Sequence, residues 1–233
     1  MRTTHALVLV SLVLSVSCKK AEKSESTASA DPANGGSSVA GTYTIKSASN
    51  PGGGGGYGGS VDVTKGNGFY NLVWTIKGSQ GYNGLALQDG DNLGVGWGQG
   101  GDFGVVVYKI NGGKLTGRWA THGSSGVGTE DLDGPATLGG TYKITKSATP
   151  EGKSYTGDVV ITQKGDTYLV TWKLGGGETY DGAAIKEGDR LIVGWGRGGK
   201  GAGVVSYTVK GSQLDGKWAT AAGGALGTEI LTK

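Results

Sequence analysis

Beyond residue 40 the apolar residues alternate with polar ones instead of recurring at helical spacing. Tyr70, Leu72, Trp74 and Ile76 fall on one side of a two-residue period, as a half-buried strand requires. The same pattern predicts short strands near 43–46, 61–64, 69–76, 85–88, 93–97, 105–110, 115–120 and 127–132. Glycine follows a polar or charged residue at Asp89-Gly90, Asn111-Gly112, Glu187-Gly188 and Lys210-Gly211. Each is a hairpin signal, because glycine accepts the positive φ of a tight turn. Gly94, Gly96 and Gly98 share one face of a strand whose other face carries Val95 and Trp97. Such a bare face predicts tight curvature or close approach by a facing aromatic ring.

The pattern occurs twice. Gly41-Thr42-Tyr43 returns as Gly140-Thr141-Tyr142, Trp74 as Trp172, and Gly96-Trp97-Gly98 as Gly194-Trp195-Gly196. Gly117-Arg118-Trp119-Ala120-Thr121 returns as Gly216-Lys217-Trp218-Ala219-Thr220, and Gly128-Thr129-Glu130 as Gly227-Thr228-Glu229. The offset is 98 or 99 residues throughout, longer than the roughly 20–50 of common solenoids. It suits a small domain duplicated once, with copies at 41–134 and 140–233 joined by a linker at 135–139. Short strands in an even series close most simply into a barrel, which removes exposed edges. The expectation is an all-β chain of two tandem small antiparallel β-barrels of about eight strands, one per copy. A pair of β-sandwiches is the alternative.

The start of the chain is different in kind. Arg2 precedes an apolar run from Ala6 to Val16, too short for a spanning helix and suited to a secretory signal. It ends in Leu14-Ser15-Val16-Ser17-Cys18, which resembles the bacterial lipobox, although that motif usually has leucine where Ser15 stands. The resemblance implies a signal peptide at 1–17 and lipidation of Cys18, the sole cysteine, so the partner at this end is a membrane. An exported chain with one cysteine has no internal disulfide. Lys19 stands where some envelope lipoproteins carry an inner-membrane retention aspartate, which points to the outer membrane. Residues 18–40 then form an anchor and flexible tether of Lys, Glu, Ser, Ala, Gly and Asp, without aromatics.

Charge narrows the partners. The 22 Lys and Arg are interspersed with 19 Asp and Glu, so no basic stripe offers a nucleic-acid groove. His5 falls in the signal and His122 is replaced by Ala221 in the second copy. No nucleophile, base and orienting acid recur together, so the reading is not an enzyme. No metal site is predicted, since Cys18 is consumed and a single histidine is no cluster. Asp89-Gly90-Asp91 lacks the oxygen run of a calcium loop. The GxGxxG matches at 96–101 and 194–199 are followed by no helix, so no dinucleotide or other cofactor is implied.

The aromatic residues carry the remaining information. All six tryptophans sit at matched positions. Tyr57, Tyr82, Trp97 and Trp119, with Tyr155, Tyr180, Trp195 and Trp218, are the candidate ligand contacts. The tyrosines sit near loop–strand junctions. An eight-stranded barrel is wide enough to be filled by side chains or to hold one small ligand; on size alone the tryptophans favour a packed core. Arg118 with Glu130, and Lys217 with Glu229, read as polar pairs tying final strands together, the other reading being a polar group at a cavity floor. The Gly-x-aromatic opening, and a basic residue beside a late tryptophan, resemble the calycin and avidin group of eight-stranded barrels. The Gly- and Trp-rich repeat is similar to bacterial proteins labelled fibronectin-binding. Together these point to a membrane-anchored, non-catalytic binding or adhesion module for a surface protein or glycan. The alternatives are a carrier of a small ligand inside the barrels and an envelope structural protein.

Overall fold

The computed structural model describes residues 38–197 and 201–233. The signal at 1–17, Cys18 and the tether to residue 37 lie outside the described residues. The first copy forms β1 (Gly41–Ser49), β2 (Gly59–Lys65), β3 (Tyr70–Ile76), β4 (Tyr82–Asp89), β5 (Asn92–Gly98), β6 (Phe103–Asn111), β7 (Lys114–Thr121) and β8 (Gly128–Asp133). The second forms β9 (Gly140–Ala148), β10 (Gly157–Lys164), β11 (Thr167–Leu174), β12 (Thr179–Glu187), β13 (Arg190–Gly196), β14 (Ala202–Lys210), β15 (Gln213–Thr220) and β16 (Gly227–Thr232). Gly90, Gly112, Gly188 and Gly211 sit at the four hairpin turns with φ of 60°, 58°, 59° and 62°.

The strands close into two eight-stranded antiparallel barrels, but the barrels are not the two sequence copies. One is β1–β5 completed by β14–β16; the other is β9–β13 completed by β6–β8. The expected one-copy barrels at 41–134 and 140–233 are corrected accordingly: each copy gives five strands to one barrel and three to the other. β5 leaves its barrel at Gly98, and the chain re-enters the other at Phe103. β5 pairs with β14 from Gly98↔Ala202 to Asn92↔Thr208, and β13 pairs with β6 in the matching register. β6 and β14 are repeat counterparts, so either satisfies the same ladder.

Packing of one barrel on the other changes what is buried. β1, β2 and β3 alternate between buried and exposed positions, whereas β4, β5 and β6 are buried on both faces. Val106 and Tyr108 point into one barrel, while Val105 and Val107 pack between the barrels with Leu85, Leu87, Ile185 and Ile192. The Val-Val-Val run of β6 thus serves two cores. Between the barrels the bare face of β5 lets backbones meet. A Cβ on Gly96 would lie 2.0 Å from the Gly104 carbonyl oxygen, and one on Gly194 would lie 1.9 Å from that of Gly203. The close approach predicted for this face is therefore made by backbone at Gly96.

One end of each barrel is plugged. Val39 is buried, Tyr43 donates its hydroxyl to the Val39 carbonyl at 2.9 Å, and Lys233 Nζ bonds the carbonyls of Ser38 and Ala40. Residues 38–40, expected as tether, are instead part of the barrel end. Linker residues do the same in the other barrel, where Leu138 packs on the core and Tyr142 donates to the carbonyls of Pro135 and Thr137.

Candidate functional site

The opposite end of each barrel is open. Its walls are the C-terminal ends of β1, β3, β5 and β15, or of their counterparts, and here the aromatic candidates converge. Tyr57, Tyr82, Trp97 and Trp218 line a cavity of about 340 Å³ in the first barrel, with Trp74 and Glu229 deeper. Trp119, Tyr155, Tyr180 and Trp195 line one of about 560 Å³ in the second, with Trp172 and Glu130. All eight candidates are brought together, four to a barrel, and each set draws on both copies. Trp218 comes from the second copy to the first barrel, and Trp119 makes the reverse exchange. Trp74 and Trp172 belong to the packed cores, as expected on size, whereas Trp97, Trp218, Trp119 and Trp195 are half-buried above them and line the open ends. Four of the cavity tryptophans lie against a glycine of a neighbouring strand: Trp97 on Gly203, Trp218 on Gly227, Trp195 on Gly104 and Trp119 on Gly128. A Cβ at those glycines would collide with the indole, so the ring is laid along the wall and the centre stays open.

The rings stand nearly perpendicular to one another. Tyr82 meets Trp97 at 79°, Trp97 meets Trp218 at 70°, and Tyr57 meets Trp218 at 78°. In the second barrel Tyr180 meets Trp195 at 72° and Trp119 meets Tyr155 at 70°. The Trp218 indole N–H donates to the Ser49 carbonyl at 3.1 Å, whereas that of Trp119 is buried without a partner. Loops of the opposite barrel brace both mouths. Gly165 bridges to Gly224 after β15, and Asn67 Nδ2 donates to the Ser125 carbonyl after β7.

Each cavity floor holds one carboxylate. Glu229 is 2% exposed and accepts the Tyr207 hydroxyl and, at 3.2 Å, the Trp74 indole N–H, both on Oε2. Its Oε1 is buried without a partner. Glu130 is equally buried and accepts the Tyr108 hydroxyl and, at 3.1 Å, the Trp172 N–H. Burial raises both carboxyls above the usual range, opposed by these donors and by Tyr57 or Tyr155. Burial first, then the carboxylate's charge, pushes the Tyr57 and Tyr155 hydroxyls far upward, so they stay protonated.

The expected pairs of Arg118 with Glu130 and Lys217 with Glu229 do not form. In the ladder Glu130 lies opposite Gly117 and Glu229 opposite Gly216, so each basic residue, one position on, faces outward. Arg118 donates to the Gly68 carbonyl and Lys217 pairs with Glu187 at 3.1 Å, both contacts reaching the other barrel. The floor residues Trp74, Trp172, Tyr108 and Tyr207 were not among the sequence candidates; their signal was recurrence at matched positions with Glu130 and Glu229. The rims differ. Lys77 lines the first mouth and Glu178 the second, where Arg197 lies 5.8 Å over the Tyr180 ring.

Other features are structural. His122 stacks on Phe103 with centroids 4.9 Å apart, and Asp89 pairs with Arg190 at 2.5 Å. Strand β6, not a helix, follows the glycines at 96–101. Among the described residues no group of three His, Cys, Asp or Glu could hold a metal. No family model matches the chain, and no curated protein or solved structure matches it.

Proposed function

We propose that this chain is a non-catalytic binding protein of the bacterial envelope. In this reading lipidated Cys18 anchors it in the outer membrane, and each barrel takes a small ligand group into its open end. The observation that carries the reading is convergence: eight aromatic residues spread over both copies meet in two open cavities, each with one buried carboxylate and its own donors. A few polar groups set in an apolar, preformed hollow are the usual makeup of a ligand site. The adhesion reading keeps one support, since Tyr82 and Tyr180 stand at the mouths, where a chain end of a surface protein or glycan could enter. Two such sites on one chain would gain avidity if both engage together.

Native mass spectrometry of the full chain, extracted gently from its host, tests the proposal. A reproducible extra mass, lost on denaturation and lost in the Trp97→Leu, Trp195→Leu double variant, is the expected result. A bare mass from every preparation would overturn the small-ligand reading and leave the macromolecular one.

A further inference from the structure

The geometry of the cavities selects among ligand classes. A sugar ring stacks on a flat, open aromatic face. In the first cavity successive rings are 70° to 79° apart and make the walls of a box, and in the second two such pairs, Tyr180 with Trp195 and Trp119 with Tyr155, stand at 72° and 70°. A box of this kind encloses a compact, rounded group. At its floor lies a carboxylate with no cationic partner: neither Glu229 nor Glu130 forms a salt bridge among the described residues.

We propose that each cavity is an aromatic cage for a compact organic cation, a quaternary or fully alkylated ammonium, with Glu229 or Glu130 as the buried counter-charge. The proposal rests on the ligand-binding reading above. Ring faces carry negative potential and attract cations, and desolvated cages of this kind are the established way to hold a quaternary ammonium. The chain already places one cation on a cage ring, the Arg197 guanidinium over Tyr180. Alkylation follows from the floor. Glu229 spends Oε2 on Tyr207 and Trp74, its unpartnered Oε1 is buried, and both glutamates are only 2% exposed. They supply charge at short range but little accessible surface for hydrogen bonds. A primary ammonium would leave N–H groups unpaired in the cavity, at a cost, whereas a trimethylammonium has none. Each rim carries a cation, Lys77 at the first mouth and Arg197 beside Glu178 at the second, so the rims do not rank the two sites.

The test is titration of the solubilised full chain with choline and with dimethylbutanol, in which a carbon replaces the nitrogen. Calorimetry and tryptophan fluorescence are the readouts. Choline is expected to saturate two sites, with dimethylbutanol about tenfold or more weaker. Lys77→Glu, an exposed change that spares the core, should tighten the first site. Equal binding of dimethylbutanol would overturn the cation proposal and leave an apolar ligand cavity standing. No response to choline, in a chain that carries a displaceable small molecule, would also overturn it alone. No response together with a bare native mass would overturn the ligand-binding reading as well.

Discussion

Replacing Gly96 with alanine adds one methyl group at the point where the barrels' backbones meet. The new Cβ would lie 2.0 Å from the Gly104 carbonyl oxygen and 2.7 Å from its carbon. A carbon beside a carbonyl oxygen needs about 3.3 Å, so the strands must separate by more than about 1 Å. The neighbour is backbone and cannot rotate away. Separation would also loosen Leu85, Val105 and Ile192, which pack in the same layer. Overpacking of this kind costs about 1–3 kcal/mol, and the upper half applies because no side chain can yield. For a chain of this size about 2 kcal/mol lowers the melting midpoint by about 4–8 °C. Gly55→Ala is the control: its Cβ meets nothing within 4 Å, so its effect should stay within about 0.5 kcal/mol. Thermal and urea unfolding of both variants measure the difference. Gly96→Ala as stable as Gly55→Ala would refute the close inter-barrel contact.

Further predictions concern the floor and the mouth. Burial raises the Glu130 and Glu229 carboxyls above their unfolded value. Their stabilising term is therefore fully present below about pH 4.3 and lost as pH rises through the folded value. Urea midpoints should fall more between about pH 4 and 7 in the native chain than in the Glu130→Gln, Glu229→Gln double variant. A bound cation selects the carboxylate form, so choline affinity should drop as pH falls through the folded value, despite Tyr57, Tyr207 and Trp74 packed on Glu229 and Tyr155, Tyr108, Trp172 and Asp131 near Glu130. Tyr207→Phe removes a donor to Glu229 and should cost about 1.5–3 kcal/mol in urea unfolding at neutral pH. It should also raise the Glu229 titration midpoint followed by carboxyl NMR.

Much of the strand pattern was legible because side-chain period and turn glycine are local properties. Tyr70, Leu72, Trp74 and Ile76 alternate in β3 as their spacing predicts, and Gly90 and Gly188 turn where a polar–glycine step stands. The strand exchange was not legible. β6 reads Val105-Val106-Val107-Tyr108 and β14 reads Val204-Val205-Ser206-Tyr207, so each presents the same inward pair and fits either barrel. Only the ladder partners, β14 beside β5 and β6 beside β13, distinguish the exchanged arrangement, and pairing over such a distance is a long-range property. The site was partly legible: duplication singled out the eight cage aromatics. The floor was misread because neighbouring strands were credited to Arg118 and Glu130 without their register. One residue of offset puts the acid inside and the base outside. The Trp74 and Tyr207 donors converge on Glu229 from β3 and β14, a meeting only the closed barrel creates.

The claim that both copies build each barrel, and hence each cage, is tested most directly by cutting the chain between them. A protease site inserted between Ala136 and Thr137, both exposed, can be cleaved in the folded full chain, followed by gel filtration without denaturant. Four strand seams join the halves: β1 to β16, β5 to β14, β6 to β13 and β8 to β9. The halves should therefore elute as one species with unchanged tryptophan fluorescence and separate only in denaturant. Two independent folded halves after native cleavage would contradict the exchange and the composite cages built on it.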